Sequence, residues 1–249
     1  MAGSPLDQFK LSNKLELSVA GFDASITNSA LWMIGVVAVT SVGLMWAMRR
    51  ADMVPGRSQS MAELLYEFVA NMVKDNIGAG GRPFFPFIFS LFMFILIANL
   101  AGMVPYGFTV TSHLAVTMTF AIFIFLLVIA VGFARHGLHF FSLFLPPGTP
   151  VFLMPLIVVI EVISFFSRPV TLGVRLFANM TAGHILMKVF AGFIISMAAA
   201  GSFVAFLSWL PFVANVAVTA LELLVAAVQA YVFALLTCVY LNDAVNLEH

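Results

Sequence analysis

The chain has 249 residues, of which 62% are hydrophobic and only 9% are charged. Because a soluble domain carries about 25% charged residues, this composition excludes an ordinary soluble domain and indicates a polytopic membrane protein. Eleven basic and eleven acidic residues leave no net charge that would attract nucleic acid, and a single cysteine excludes an internal disulfide or a multi-thiolate metal site.

The first part of the chain predicts an extramembrane segment followed by a membrane-spanning helix. Residues 1–27 carry scattered polar groups and lack the short apolar core of a removable signal peptide, so we expect no such peptide. The apolar run at 28–48 is long enough to cross a hydrocarbon core, which takes about 20 helical residues. It ends in "MRR" and is predicted to be a plain span.

The segment at 60–78 has a different pattern, with apolar and charged residues on separate faces of one helix. Its apolar stripe consists of Met61, Leu64, Leu65, Phe68, Met72 and Val73. This pattern predicts an amphipathic helix on the membrane surface, with Ser60 at its start and Gly78 at its end. Two further apolar runs, at 84–104 and 112–133, predict the next two membrane-spanning helices.

Two unusually long helical runs follow, at about 150–196 and 202–243. At 1.5 Å per residue each would extend about 60 to 70 Å, roughly twice the bilayer thickness. Each run therefore forms either two short spans or one steeply tilted helix, and in the second case the two helices make a hairpin that turns at "SMAAAGS". The segment from 168 to 179 lacks the cluster of turn residues that two spans would need. We therefore favour the hairpin, in an all-α fold with a single membrane domain over 28–245.

The distribution of basic residues predicts the orientation of the chain. One side would hold most of the Lys and Arg outside the spans, namely Arg49, Arg50, Arg57, Lys74, Arg82 and Arg135, and the other only Lys10 and Lys14. By the positive-inside rule, the N-terminus is outside and the C-terminus is in the cytoplasm. We expect a multi-pass membrane protein in this orientation.

Polar and ionisable residues lie inside the long helical runs, where a charge at mid-bilayer costs about 2.5 to 3.5 kcal/mol even on the mildest scale. The main candidates are Glu161, Arg175, Asn179 and His184 on the first long helix, and Glu222, Gln229 and Asp243 on the second. Such residues indicate function by default. The alternative is a set of salt bridges between helices, although small residues hold membrane helices together at lower cost. Arg168 and Lys188 could equally reach the interface, and Asn99 and His113 are expected to satisfy backbone groups near a turn.

The spacing of these groups suggests how they act. Glu161, Arg168 and Arg175 follow one another at intervals of seven residues and therefore share one stripe of a helix. His184 points to the opposite side of that helix, and Glu222 lies on the second long helix. Arginine cannot relay protons, whereas Glu and His can. A fixed cation between two sets of proton carriers predicts a gate between two half-channels.

Three stretches carry a family resemblance, namely "SRPVTLGVRLFANMTAGH", "NLAGMVPYGFTVTSHL" and "VQAYVFALLTCVYLND". They resemble subunit a of the rotary ATP synthase, the stator subunit that faces the ring of c subunits, over about 30–245. The resemblance implies five spans in which the last two helices form a tilted hairpin around the c-ring. It also implies as partners the c-subunit ring, the peripheral-stalk b subunits, the other ATP synthase subunits and the lipid bilayer. The membrane it implies is a bacterial inner membrane, with the mitochondrial inner membrane as the alternative.

The resemblance implies a role for each candidate residue by its position. Arg175 matches the essential arginine of the family, and Asn179 and Gln229 match its polar neighbours. His184 and Glu222 match the pair in the half-channel that is open to the outside. Two acidic residues resemble those that line the exit to the cytoplasm or matrix, namely Glu161 and Asp243.

Two other functions would also suit an apolar chain of several helices. A stand-alone ion-coupled secondary transporter is expected to show internal repeats, and the sequence shows no convincing repeat. A purely structural subunit of a membrane complex would not need Arg175, His184 and Glu222 to be buried. The chain has no G-x-x-x-x-G-K-[ST] loop, so we expect no catalytic site of its own, no cofactor and no metal. Protons are the expected coupling ion, because His184 and Glu222 suit proton transfer.

Overall fold

The computed structural model describes residues 13–15, 18–19, 22–23, 26–49, 52–104, 107–145 and 152–246. Within these ranges, seven α-helices follow one another along the chain. They are α1 (Asn28–Ala47), α2 (Arg57–Ile77), α3 (Phe85–Gly102), α4 (Leu114–His136), α5 (Met154–Ala199), α6 (Ser202–Phe206) and α7 (Trp209–Val245). Three 3-10 segments accompany them, at Gly78–Phe84, Val110–Ser112 and Gly137–Phe144.

Four very short strands precede α1, in the segment predicted to be extramembrane. They are β1 (Asn13–Leu15), β2 (Ser18–Val19), β3 (Phe22–Asp23) and β4 (Ile26–Thr27). β1 pairs with β4 and β2 pairs with β3, both antiparallel. The sequence did not predict these strands, because the alternation that marks a strand needs about four to eight residues.

Five helical stretches are long and apolar enough to cross a membrane. They are Asn28–Ala47, Arg57–Gly102, Leu114–Phe144, Met154–Ala199 and Val204–Val245. The prediction of an all-α polytopic membrane protein is therefore confirmed. α5 runs without a break for 46 residues, through the segment where two short spans would have needed a turn.

The second long run differs from its prediction at its start, because α6 and α7 are separate helices. Pro211 explains the break: it has no N–H to bond back to the carbonyl of Leu207, and it is tolerated in the first turn of a helix. The preceding turn, between α5 and α6, passes through Gly201 with φ of +69°. Glycine adopts this left-handed conformation readily and commonly ends a helix in this way.

The chain forms two compact units, and each is assembled from separate pieces of sequence. The first unit draws on Met1–Thr40, Phe94–His113 and Leu176–Gln229. The second unit draws on Ser41–Met93, Leu114–Arg175 and Ala230–His249. Each unit therefore contains a part of α5 and a part of α7, and each holds some of the candidate residues.

The core of the second unit includes one face of α2. Five apolar residues of that face are buried, namely Ala62, Val69, Met72, Val73 and Ile77. The stripe predicted from the sequence is therefore divided: Met72 and Val73 are buried in the protein, whereas Met61 and Leu64 are exposed. The apolar stripe of α2 is wide, so that one part of it is buried against the protein and another part is exposed. Periodicity alone does not say which part is buried.

The C-terminal end of α7 is fastened inside the second unit by two polar contacts. The Nδ2 group of Asn246 donates a hydrogen bond to the carbonyl oxygen of Ile77, at 3.1 Å, at the end of α2. The Nε2 atom of His136, the last residue of α4, lies 3.3 Å from the carbonyl oxygen of Val245. The ends of three helices therefore meet here, and the contacts satisfy carbonyl groups that a helix end leaves unpaired.

Candidate functional site

The first unit buries an imidazole beside a carboxyl group. His184 on α5 is 5% exposed and Glu222 on α7 is 3% exposed. The Nδ1 atom of His184 lies 3.3 Å from Oε1 of Glu222, and neither carboxyl oxygen accepts a hydrogen bond from the described residues. The structure therefore brings together His184 and Glu222, the two titratable groups that the sequence singled out. The carboxyl group of Glu222 has no hydrogen-bond partner among the described residues.

The other ring nitrogen of His184 faces a residue that the sequence analysis missed. The Oγ1 atom of Thr109 lies 2.6 Å from Nε2 of His184, and the same hydroxyl donates to the carbonyl oxygen of Gly102 at 3.3 Å. Thr109 is buried. Thr109, His184 and Glu222 thus form one row of a hydroxyl, an imidazole and a carboxyl group. Each of these groups can donate or accept a hydrogen bond, depending on its protonation.

A short turn positions Thr109, and an amide fastens that turn to α7. Thr111, two residues on, donates a hydrogen bond from its hydroxyl to Oδ1 of Asn99 at 2.7 Å. The Nδ2 group of Asn99 in turn donates to the carbonyl oxygen of Ala226 at 3.2 Å. Asn99 was expected to satisfy backbone groups near the turn, and instead it is fully buried and links the turn to the helix that carries Glu222.

Gly183, next to His184, leaves room for the carboxyl group of Glu222. A Cβ atom at this position would lie 2.8 Å from Oε1 and 2.9 Å from Cδ of Glu222. Real Cβ atoms essentially never come so close, so a larger residue would displace the carboxyl group. The absence of a side chain at Gly183 is therefore part of the geometry that puts Glu222 beside His184.

Two other predicted residues of the first unit stand apart from this row. Gln229 on α7 is buried and Asn179 on α5 is exposed. Within the described ranges, neither forms a hydrogen bond with His184 or Glu222. Their part in the site therefore stays a prediction.

The second unit contains a close ion pair between α5 and α7. A guanidinium nitrogen of Arg168 lies 2.6 Å from Oδ2 of Asp243, and the two side chains are 26% and 28% exposed. The guanidinium carbon also lies 5.2 Å from the ring centre of Tyr240 and 5.7 Å from that of Phe165. Arg168 is therefore held by a carboxylate and two aromatic rings, and its position relative to the membrane interface stays a prediction.

Arg175 and Glu161 lie on the same part of α5 as Arg168. Arg175 is exposed and Glu161 is partly buried. In the part of the chain that the structure describes, neither of them forms an ion pair. The same ranges contain no group of three or more His, Cys, Asp or Glu that could hold a metal ion.

The five apolar helices and the buried acid–base groups define a multi-pass membrane protein with proton-exchanging side chains within its apolar helices. The family model of the ATP synthase A chain matches residues 30–242. The chain belongs to this family, and the resemblance seen in its three sequence stretches is confirmed.

Individual relatives match nearly the whole chain. ATP synthase subunit a of Mesorhizobium japonicum is 54% identical, over 98% of this chain and 97% of the relative. The protein of the same name from Rhodospirillum rubrum is 50% identical, over 98% and 99%. That of Xanthobacter autotrophicus is 52% identical over the full length of both chains.

Proposed function

We propose that this chain, a proton-translocating subunit of ATP synthase by its family, provides two aqueous half-channels. These half-channels load and unload carboxyl groups on a ring of c subunits and thereby drive its rotation. The observation that supports the proposal is the buried pair of His184 and Glu222. Both groups are costly to bury in apolar helices, and both exchange protons readily, so proton transfer accounts for their presence better than packing does.

In this proposal, Arg175 is the fixed cation that separates the two half-channels. A ring carboxylate about 4 Å from its guanidinium would be attracted by about 4 kcal/mol at an effective dielectric constant of 20. A membrane potential supplies about 2.3 kcal/mol per elementary charge per 100 mV, so a hydrated pair of this strength can be broken at each step. Arg175 is exposed on α5, which supports a position that a ring carboxylate can reach.

The other predicted residues take supporting roles in the same mechanism. Glu161 and Asp243 line the exit to the cytoplasm, and Asn179 and Gln229 assist the step at the arginine. For Asp243 the ion pair with Arg168 is the relevant support, since it keeps a carboxylate at a defined place on α7.

The proposed assembly also includes the peripheral-stalk b subunits and a bacterial inner membrane, with the N-terminus outside and the C-terminus in the cytoplasm. The asymmetry of basic residues supports this orientation. Single cysteines at Ser12 and Gly148, in a Cys238→Ser background, should be labelled from opposite sides of intact membranes. Labelling of both from the same side would contradict the orientation.

The decisive experiment measures ATP-driven proton pumping by the whole complex in reconstituted vesicles. His184→Ala and Glu222→Ala should each lower pumping by tenfold or more, whereas a variant in which the two residues are exchanged should retain more activity than either. Thr219→Ala, an exposed position one turn before Glu222 on α7, controls for losses in reconstitution. Equal losses in all three variants would show that the residues act separately.

A further inference from the structure

The hydroxyl group of Thr109 determines which nitrogen of His184 can face the carboxyl group. A threonine hydroxyl has one hydrogen to donate, and here it donates to the carbonyl oxygen of Gly102. This donation assigns the tautomer of His184, in which the imidazole Nε2–H donates to Oγ1 across the 2.6 Å contact. Nδ1 is left facing Glu222 with its lone pair, which is the arrangement needed to receive a proton from that side.

We propose that Thr109 is a positioning residue for proton transfer between Glu222 and His184. For the transfer, protonated Glu222 closes the 3.3 Å gap to Nδ1 of His184 and donates its O–H there, while Nε2–H donates to Thr109. When the proton moves to Nδ1, the products are an imidazolium ion and a carboxylate, which accepts the new Nδ1–H. The Nε2–H group stays hydrogen-bonded to Oγ1 of Thr109 throughout. The transfer breaks one O–H bond, at Glu222, and forms one N–H bond, at Nδ1 of His184. This inference rests on the proposed function of the pair.

Thr109 is held firmly enough to orient the ring. Its carbonyl oxygen accepts a hydrogen bond from the hydroxyl of Ser112 at 2.6 Å. Its side chain packs against Gly102, where a Cβ atom would come within 2.6 Å of Oγ1. A hydroxyl fixed by a turn on one side and by a glycine on the other presents its oxygen at one place, which is what a preorganised acceptor requires.

The other charged and titratable groups near the imidazole do not replace this acceptor. Glu222 on α7 faces Nδ1, and Lys188 on α5 acts on the ring through its positive charge. On the side of the turn, His113 stacks on Phe108, with ring centres 4.9 Å apart. Removing the hydroxyl of Thr109 would therefore leave Nε2–H of His184 without its acceptor. The imidazolium form of His184 would lose more stabilisation than the neutral form, because its N–H groups carry the positive charge.

The test compares two buried threonine hydroxyls in the whole complex, one in the turn and one outside it. Thr109→Val keeps the shape of the side chain and should lower ATP-driven pumping by about tenfold, as the loss of one buried hydrogen bond allows. Its pH for half-maximal pumping should move toward acid, and Thr109→Ser should restore both values. Thr237→Val also removes a buried hydroxyl, the one that donates to the carbonyl oxygen of Phe233 on α7, and should keep the wild-type pH dependence.

Each outcome decides between the inference and the proposed function. If Thr109→Val pumps like the wild type while His184→Ala does not pump, Thr109 has no positioning role and the proposed function stands. If His184→Ala pumps normally, the proposed function itself fails. A shift of the pH dependence in Thr237→Val equal to that in Thr109→Val would also overturn the inference. If Thr109→Val does not assemble, Thr109→Ser must pump faster than Thr109→Ala, and equal rates would contradict the proposal.

Discussion

The two units each bring a carboxyl group on α7 to a basic side chain on α5, and they do so in opposite ways. In the first unit, His184 and Glu222 are almost fully buried, 3.3 Å apart, and not joined by a hydrogen bond. In the second unit, Arg168 and Asp243 are partly exposed and only 2.6 Å apart. Burial and close pairing, which usually accompany each other for charged groups, are here separated.

The difference follows from the chemistry of the two bases. An arginine is always protonated, so its pair with a carboxylate is permanent and serves to hold two helices. An imidazole and a carboxyl group can share one proton between them, and a longer contact leaves either group able to take it. The close ion pair of Arg168 and Asp243 suits the attachment of one helix to another. The longer contact between His184 and Glu222 suits the exchange of a proton.

The largest expected effect concerns the two arginines that lie seven residues apart on α5. Arg168 is in an ion pair and Arg175 is not paired with any described residue. Arg175→Ala should therefore abolish ATP-driven proton pumping, because no permanent charge would separate the half-channels, while passive leakage through the complex persists or rises. Both rates are measured in the same vesicles. Arg168→Ala is the matched control and should still couple hydrolysis to pumping; a coupled Arg175→Ala complex would show that this arginine is only structural.

A second prediction tests whether the relative position of His184 and Glu222 matters as much as their chemistry. Gly183→Ala places a Cβ atom where the Glu222 carboxyl group now lies, whereas a Cβ atom at Gly192, on the same helix, would meet nothing within 4 Å. Pumping should fall about tenfold in Gly183→Ala, a size typical of a displaced proton-transfer group. Gly192→Ala should pump normally. Equal activity of the two variants would mean that the position of Glu222 is not critical.

The ion pair of Arg168 and Asp243 should also contribute to the stability of the complex. A double-mutant cycle with Arg168→Ala and Asp243→Ala, followed by thermal unfolding of the purified complex, should give a coupling energy of about 1 kcal/mol. Arg168→Lys should recover only part of it, because a lysine keeps the charge but loses the flat guanidinium that stacks on Tyr240. A coupling energy near zero would show that Arg168 and Asp243 do not hold the two helices together, and the contrast with His184 and Glu222 would be lost.

The smallest expected effect uses a second imidazole of the first unit, which has no described carboxyl partner. Burial lowers the pKa of His113 from its ordinary value of 6.5. The unfolded chain therefore takes up a proton before the folded one as the pH falls, so the free energy of unfolding decreases below about pH 6.5. His113→Phe, which keeps a ring against Phe108, should lose less thermal stability between pH 7.5 and 5.5 than the wild type. The same loss in both proteins would assign the acid sensitivity to other groups.

The sequence predicted the helices well because length and apolar composition are local properties. Runs long enough to span a bilayer are visible without any knowledge of their neighbours. The uninterrupted course of α5 followed from the lack of turn residues between 168 and 179. The break before α7 did not, although Pro211 was the available signal.

The contacts of the site were less accessible to sequence analysis. His184 and Glu222 were found because ionisable residues are rare in apolar helices. Thr109 was missed because a threonine is an ordinary residue in a turn, and its partner His184 lies 75 residues away. Arg168 and Asp243 are also 75 residues apart, and no local pattern connects two such positions. Only the packing of the helices reveals these pairs.

The contact between Asn246 and Ile77 has a consequence for biosynthesis. The two residues are separated by 169 positions, and a ribosome that adds about 5 to 20 residues per second needs roughly 8 to 34 seconds to make that stretch. During this time the end of α2 exists without the residue that later caps it, and the second unit lacks its last helix. A chain cut short before Asn246 would keep the carbonyl group of Ile77 without this partner permanently.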